Sequence, residues 1–236
     1  MTSPLAWIGQ RRRAWRASWR DGVARPGARL NAHLHMNLAD HGLLRRFWTN
    51  RAPVAPGVWR SNQPSPRQLR SLARQGVRTI LNLRGANSQG AYALERDACA
   101  AAGLTLVDFP MTSRKLPTAE QIHALNAIFA RAEPPLLMHC KSGADRAGFA
   151  AALYVLLHGG TPEQAHRHLR LRNLHLRRSD AGILDHFLDA YRRFDARTPT
   201  PFLDWVDRHY DPQALAESFR PGRSAAFLNS TLLRRE

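Results

Sequence analysis

Cysteine is scarce in this chain: Cys99 and Cys140 are the only two in 236 residues. A disulfide-stapled secreted scaffold is thereby excluded, and a reducing cytoplasm is the expected compartment. Lysine is equally rare, with Lys115 and Lys141 alone, so nearly all of the positive charge is arginine. Acids number 18 against 35 bases, a formal net charge of +17. Such an imbalance draws anions, whether phosphorylated substrates, anionic lipid surfaces or nucleic acid, although an arginine bias in genomic base composition gives the same sum without any partner. Long apolar runs are missing too. The longest, Phe149 to Leu157, falls short of the ~20 residues that span a bilayer and is cut off by His158-Gly159-Gly160, so no integral membrane protein is expected. The basic N-terminus develops neither the apolar block nor the small-residue cleavage site of a secretory signal. Internal repeats and low-complexity tracts are lacking as well.

What is there is an ordinary globular composition, 44% hydrophobic, in a chain long enough for one large domain with appendages. Residues 1–52 read as a basic N-terminal arm, 53–195 as one domain and 196–236 as a C-terminal extension of small helices. Residues 11–29 hold seven arginines against the single acid Asp21, with Trp15 and Trp19 interleaved. Leu5, Ile8, Trp15 and Trp19 share a helical face that Arg12 interrupts. Over residues 5–29 this pattern suits an arm that is solvated or packs across the domain, or one peripheral at an anionic membrane surface, with nucleic acid the least favoured partner.

From Pro53 the punctuation changes. Pro53-Val54-Ala55-Pro56-Gly57 reads as a turn-rich lead-in to a strand around Val58-Trp59-Arg60. Ser65-Pro66-Arg67-Gln68 supplies an N-cap, a proline at the first helical position and a capping-box glutamine, and Gly76 supplies the stop. Thr79 to Leu83 is a buried strand, residues 91–102 closed by Gly103 a helix, and Leu104 to Phe109 the next strand. Ile122, Leu125, Phe129 and Ala132 mark the inner stripe of a helix that begins near Thr118. Leu136 to His139 is another buried strand, followed after Arg146 by a core helix; Thr161 opens one more, and residues 181–193 a last. Strands alternating with helices predict an α/β fold with a mostly parallel central sheet flanked by helices on both faces.

The chemistry concentrates in His139-Cys140-Lys141-Ser142-Gly143-Ala144-Asp145-Arg146, a strand end, a small-residue loop and the start of a helix. A loop that turns its amide N–H groups inward at a helix N-terminus holds a tetrahedral phosphate and equally stabilises a thiolate, so Cys140 reads as an ionised nucleophile. Lys141, Ser142, Gly143 and Ala144 would cradle the anion, and Arg146 would offer its planar fork to two phosphate oxygens.

This string resembles the HCxxGxxR signature of the cysteine-dependent protein tyrosine and dual-specificity phosphatase superfamily. Trp59-Arg60-Ser61-Asn62-Gln63-Pro64 is similar to the opening strand motif of its compact bacterial and fungal members, and Leu81-Asn82-Leu83-Arg84 to their next strand. The resemblance implies the phosphatase-like α/β fold and a metal-free, two-step reaction. In it Cys140 attacks phosphorus, an acid protonates the leaving oxygen, and water hydrolyses the phosphocysteine. It implies that His139 positions Cys140, and that no cofactor is needed. Two aspartates compete as the acid. Asp108 stands 32 positions before Cys140, near the family spacing but inside an apparent strand. Asp145 matches the CxxGxDR variant of myotubularins and bacterial lipid-directed tyrosine phosphatases, and like charge from bound phosphate favours its protonated form. Lys141 matches a lysine of tensin-like phosphoinositide phosphatases, so phosphorylated proteins and phosphoinositides are both candidate substrates. Ala147 departs from the family, which carries a hydroxyl residue there to help the thiolate leave, and this departure predicts a slow second step.

Two other readings stay open: a phosphate-binding adaptor without turnover, and a rhodanese-like sulfur or arsenate transferase. Arg167, Arg170, Arg172, Arg177 and Arg178, with His166, His168 and His175, read as a solvated face or an approach to the site, without the carboxylate or cysteine partners of a metal set. Cys99 is expected to be buried in its helix rather than to cap an oxidised Cys140.

Overall fold

A computed structural model gives the fold, described for residues 4–20 and 22–220. Asp21, residues 221–236 and the side chains of Leu5, Ile8 and Arg12 lie outside the described residues. The arm folds as α1 (Pro4–Ala17), α2 (Pro26–Leu34), a π-helical turn (His35–Ala39) and α3 (Gly42–Phe47). The domain follows as β1 (Ala52–Ala55), β2 (Val58–Asn62), α4 (Pro66–Arg74), β3 (Thr79–Asn82), α5 (Gly90–Ala102), β4 (Thr105–Asp108), α6 (Ala119–Arg131), β5 (Leu136–Cys140) and α7 (Asp145–Leu157). Then come α8 (Pro162–His166), α9 (Ile183–Asp195), α10 (Phe202–Arg208) and α11 (Pro212–Ser218). Among the described residues no helix is long and apolar enough to cross a membrane.

The sheet order is β1-β2-β5-β3-β4, parallel throughout except for β1, which pairs antiparallel with β2. This is the expected α/β architecture with one element added. The stretch read as a lead-in contains strand β1, because a proline that would break a central ladder is tolerated on an edge strand. Elsewhere local chemistry sets the boundaries. Ser65 with Gln68 and Thr118 with Gln121 each form both halves of a capping box at the starts of α4 and α6. The helix opened by Thr161 stops after five residues, and the chain then turns through residues 167–182, brief 3-10 turns included, before α9.

Alternation along β3 and β5 divides the core. Ile80 and Leu137 face α4 and α5, where they meet Leu69, Leu72, Ala98 and Cys99. Leu81, Met138 and Cys140 face the opposite layer, built by Ile122, Leu125 and Phe129 of α6, by α7, and by Phe187 and Trp205 of α9 and α10. The expected inner stripe of α6 is buried in its first three members, while Ala132 caps the helix half-buried. Helix α7 is buried nearly all round from Ala147 to Leu153, which fits its run of apolar residues rather than an amphipathic pattern. The C-terminal helices lie on this layer too, with Tyr210 Oη donating 2.7 Å to the Pro117 carbonyl.

The arm packs across the domain. Trp19 follows α1 in a turn, is only 2% exposed, and with Val23, Ala32 and Met36 covers Ala91, Ala93 and Leu94 of α5. Its indole N–H donates 3.1 Å to the Ser88 carbonyl, and its ring meets Trp15 edge-on at 5.4 Å. The face expected to lie on a membrane surface therefore lacks Trp19, whose apolar area is already covered. Replacing Trp19 with alanine should cost about 3–5 kcal/mol and open the arm to trypsin. Urea unfolding and limited proteolysis measure both, and an unchanged digestion pattern would contradict the docking.

Candidate active site

Strand β5 ends at Cys140 and α7 begins at Asp145, so the loop between them sits at the C-terminal edge of the sheet, where parallel strands point their ends at ligands. Cys140 is buried, on the face covered by α7. Gly143 closes the loop at φ +73, and a Cβ there would lie 2.6 Å from the Asn62 nitrogen and 2.8 Å from the Ser61 carbonyl oxygen. No other residue type fits that seat. Asn50 Nδ2 donates to the carbonyls of Ser142 (3.1 Å) and Asn173 (3.0 Å), tying the loop to segments on either side. Ala144 caps α7 with no side-chain hydrogen bond, while Ser142 Oγ accepts from the Ala144 N–H at 3.4 Å. Arg146 is half-buried, and among the described residues nothing pairs with its guanidinium.

Beneath the loop runs a polar chain that the two strand motifs supply. His139 Nε2 lies 2.7 Å from Glu95 Oε1 of α5, both side chains fully buried, and the other Glu95 oxygen accepts from Gln63 Nε2 at 2.9 Å. Gln63 Oε1 in turn accepts from Arg84 Nη1. Arg84 grips both oxygens of Asp40, at 2.8 and 3.1 Å, and Asp40 also meets Arg45 at 3.0 Å and Lys141 at 3.5 Å. The chain thus leaves the loop at His139 and returns to it at Lys141. Burial raises the Asp40 carboxyl, but Arg84, Arg45 and Lys141 prevail and hold it at about 2. Burial lowers the Lys141 ammonium in spite of Asp40.

Arg60 forms a second support. Fully buried, it donates Nη1 to the His168 carbonyl at 2.5 Å, passing so near α7 that a Cβ on Gly148 would be 2.9 Å from Nη1. Burial pulls its guanidinium down to about 10, with Cys140 and Asp145 raising it and Arg172 lowering it, so Arg60 is coupled to both Cys140 and Asp145. Burial, Arg60 and Arg172 together bring His168 down to about 4.

The model of the family described as DSP-PTPase phosphatase fused to NAD+ kinase matches residues 49–181, from the residue before Asn50 to the turn before α9. The chain belongs to this phosphatase family. Dual specificity protein phosphatase TpbA of Pseudomonas aeruginosa strain UCBPP-PA14 is 28% identical over 113 residues, which are 48% of this chain and 49% of the relative. The same protein of strain PAO1 is 27% identical over 113 residues, with the same coverage. The chain spans about half the length of these curated relatives. Among solved structures, P. aeruginosa TpbA has a TM-score of 0.49 at 24% identity, covering 63% of this chain and 91% of that one. The core catalytic domain of the PP-IP phosphatase SIW14 from S. cerevisiae has a TM-score of 0.44 at 20% identity, covering 71% and 89%.

Within this phosphatase fold the signature residues from His139 to Arg146 come together, and Asp108 stands apart. It ends β4, two strands and roughly 10 Å from β5 across the sheet. Both its oxygens are engaged, Oδ1 accepting from Asn82 Nδ2 at 2.7 Å and Oδ2 from Tyr92 Oη at 2.6 Å. Burial and Asp108 push that tyrosine up to about 12. Cys99 is buried on the opposite face of the sheet, its thiol raised to about 12 by burial and by Glu95 and Asp108. His175, grouped by sequence with a basic stretch read as a solvated face or an approach to the site, is fully buried beside Asp145. Its Nδ1 lies 2.8 Å from Asp145 Oδ1 and its Nε2 lies 2.6 Å from Asp185 Oδ2 of α9. The arginines of that stretch are exposed, and Arg177 pairs with Asp189. Asp40, Asn50, Glu95, His175 and Asp185 carry no motif, and only tertiary contact reveals them.

Burial alone would lower His175, but hydrogen bonds and charge from Asp145 and Asp185 raise it to about 9. A group whose folded pKa lies above its unfolded value stabilises in full below the unfolded value, about 6.5, and loses that contribution as pH climbs through about 9. Urea unfolding should therefore show stability falling by about 3 kcal/mol across that window in the wild type. In His175→Gln this fall should be missing, and an identical pH slope in the two proteins would refute the assignment.

Proposed function

We propose that this phosphatase-family chain hydrolyses phosphate monoesters through a phosphocysteine formed on Cys140. The observation that carries the reading is the closed loop from Cys140 to Arg146, seated by Gly143 against the end of β2 at the start of α7. In this mechanism the loop amides and Arg146 hold the equatorial oxygens of the phosphoryl group, as a transition state with charge spread over those oxygens requires. Cys140 attacks in line. His139, braced by Glu95, orients the Cys140 backbone, whose carbonyl its Nδ1 approaches at 3.4 Å.

For the general acid the geometry favours Asp145 over Asp108. Asp145 opens α7 beside the loop, shares the field of Arg60 with Cys140, and keeps 16% of its side chain exposed. Asp108 is held by two donors, Asn82 of β3 and Tyr92 of α5. Lys141 bears on the substrate. The lysine that resembles a headgroup-binding residue is turned to Asp40, which makes a singly phosphorylated protein side chain a better fit than a polyanionic headgroup.

Ala147 is fully buried and offers no hydroxyl to the departing thiolate, so the second step should limit turnover. Wild type with p-nitrophenyl phosphate is expected to give a burst of nitrophenol equal to the enzyme concentration, then a slow steady state. Ala147→Ser should raise the steady rate several-fold and leave the burst in place. Linear release from time zero would contradict a rate-limiting second step. Cys140→Ser is expected to abolish turnover while tungstate still binds. If the wild type binds phosphate yet turns over neither phosphopeptides nor phosphoinositides, the adaptor reading stands in its place; cyanolysis of thiosulfate would instead favour the sulfur transferase.

A further inference from the structure

His175 is an imidazole between two carboxylates, and two of its proton arrangements bear on Asp145. With both ring nitrogens protonated, His175 donates to Asp145 and to Asp185, and both acids are ionised. With one proton fewer on the ring, Nδ1 becomes an acceptor and Asp145 itself must carry the hydrogen between them, while Nε2 still donates to Asp185. The two forms differ by the transfer of one proton along a 2.8 Å hydrogen bond.

We propose that His175 stores the proton that Asp145 delivers to the leaving oxygen, and so acts as a positioning and proton-holding residue for the reaction. This rests on the reading of Asp145 as the general acid. In the resting protein the proton sits on His175, which its hydrogen bonds to two carboxylates hold near 9. The charged groups around it are Asp145 on α7 and Asp185 on α9, with Arg60 of β2 beside Asp145. A phosphate dianion arriving at the start of α7 is closer to Asp145 than to His175, so its charge raises the proton affinity of the carboxylate more than that of the imidazole. The Nδ1 proton then passes to Asp145 Oδ1. Rotation about the C–O bond turns this hydrogen from Nδ1 to the ester oxygen.

In the first step the Cys140 sulfur–phosphorus bond forms, the phosphorus–oxygen ester bond breaks, and the proton leaves with the alcohol; Asp145 is left ionised. In the second step Asp145 takes a proton from the attacking water as the new phosphorus–oxygen bond forms and the sulfur–phosphorus bond breaks. Phosphate departs, and the proton returns to His175. Asp185 stays ionised throughout and keeps the ring oriented by its 2.6 Å contact.

The test compares two esters. Phenyl phosphate needs its leaving oxygen protonated, whereas p-nitrophenyl phosphate leaves as a stable anion. Measured on the burst phase, His175→Gln should lose most of the ~10²–10⁴-fold due to a positioned acid on phenyl phosphate, and about threefold or less on p-nitrophenyl phosphate. Asp185→Asn, which keeps the ring but removes its second anchor, should show the same selectivity to a smaller degree. An equal loss on both esters would make His175 merely structural and overturn the proposal. If the wild type hydrolyses neither ester, the phosphatase reading itself falls and this inference falls with it. A second measurement needs no turnover. In Cys140→Ser at pH 7, the nitrogen resonance of His175 Nδ1 should move from the protonated to the unprotonated range when tungstate binds, and persistence of the protonated signal would also overturn it.

Discussion

Everything at the site hangs on one steric fact, the contact between Gly143 and the last two residues of β2. The turn of the loop lies so close to the Ser61–Asn62 backbone that no side chain can come between them. A loop held this way has little freedom to reorganise, so its amides point where they do before any ligand arrives. Preorganised dipoles of this kind are worth far more than flexible ones, because no reorientation is needed as charge develops. The strand motif beginning at Trp59 is therefore part of the loop's support as much as part of the sheet.

Around that contact the sequence motifs divide the labour. Arg60 is buried against the start of α7, Gln63 and Arg84 carry the polar chain that links Glu95, beside His139, to Asp40, beside Lys141, and Asn82 holds Asp108 at the sheet edge. A buried chain of this length is stabilising only if each member is matched, since an unmatched charge in the interior costs several kcal/mol. The acid that completes it, Asp40, comes from the arm. The arm is thus bound to the domain twice, by apolar packing of Trp19 on α5 and by a carboxylate that three cations share.

Much of this was legible in the residues. Capping boxes at Ser65 and Thr118, the stop at Gly103 and the buried runs at β3 and β5 are local signals, and the elements they mark form within one or two residues of expectation. The signature loop is local as well, a continuous string whose glycine and arginine have fixed offsets from the cysteine. What escaped was non-local or against rule. Strand β1 contains a proline that only its edge position excuses. Packing of the arm across the domain was one of the readings open for Trp19, but nothing in its own window announces α5 as the surface it covers. His175 sat in a run of arginines that is mostly exposed, and its burial depends on Asp145 and Asp185, thirty and ten residues away in the chain. Charge density along a sequence describes a segment's average; it does not describe the one side chain that turns inward.

The two cysteines of the chain lie on opposite sides of one sheet, Cys140 toward α7 and Cys99 toward α4. A disulfide needs its two Cβ atoms roughly 3.8 Å apart, which the sheet lying between α5 and Cys140 forbids unless β5 is pulled out of the ladder. A Cys140 oxidised to its sulfenic acid would find no resolving thiol within the molecule. Return to the thiol then depends on a reductant from solution, glutathione-sized or protein-borne, reaching a sulfur that is almost wholly enclosed. The same alternation of side chains that builds two core layers leaves Cys140 without a second thiol in reach.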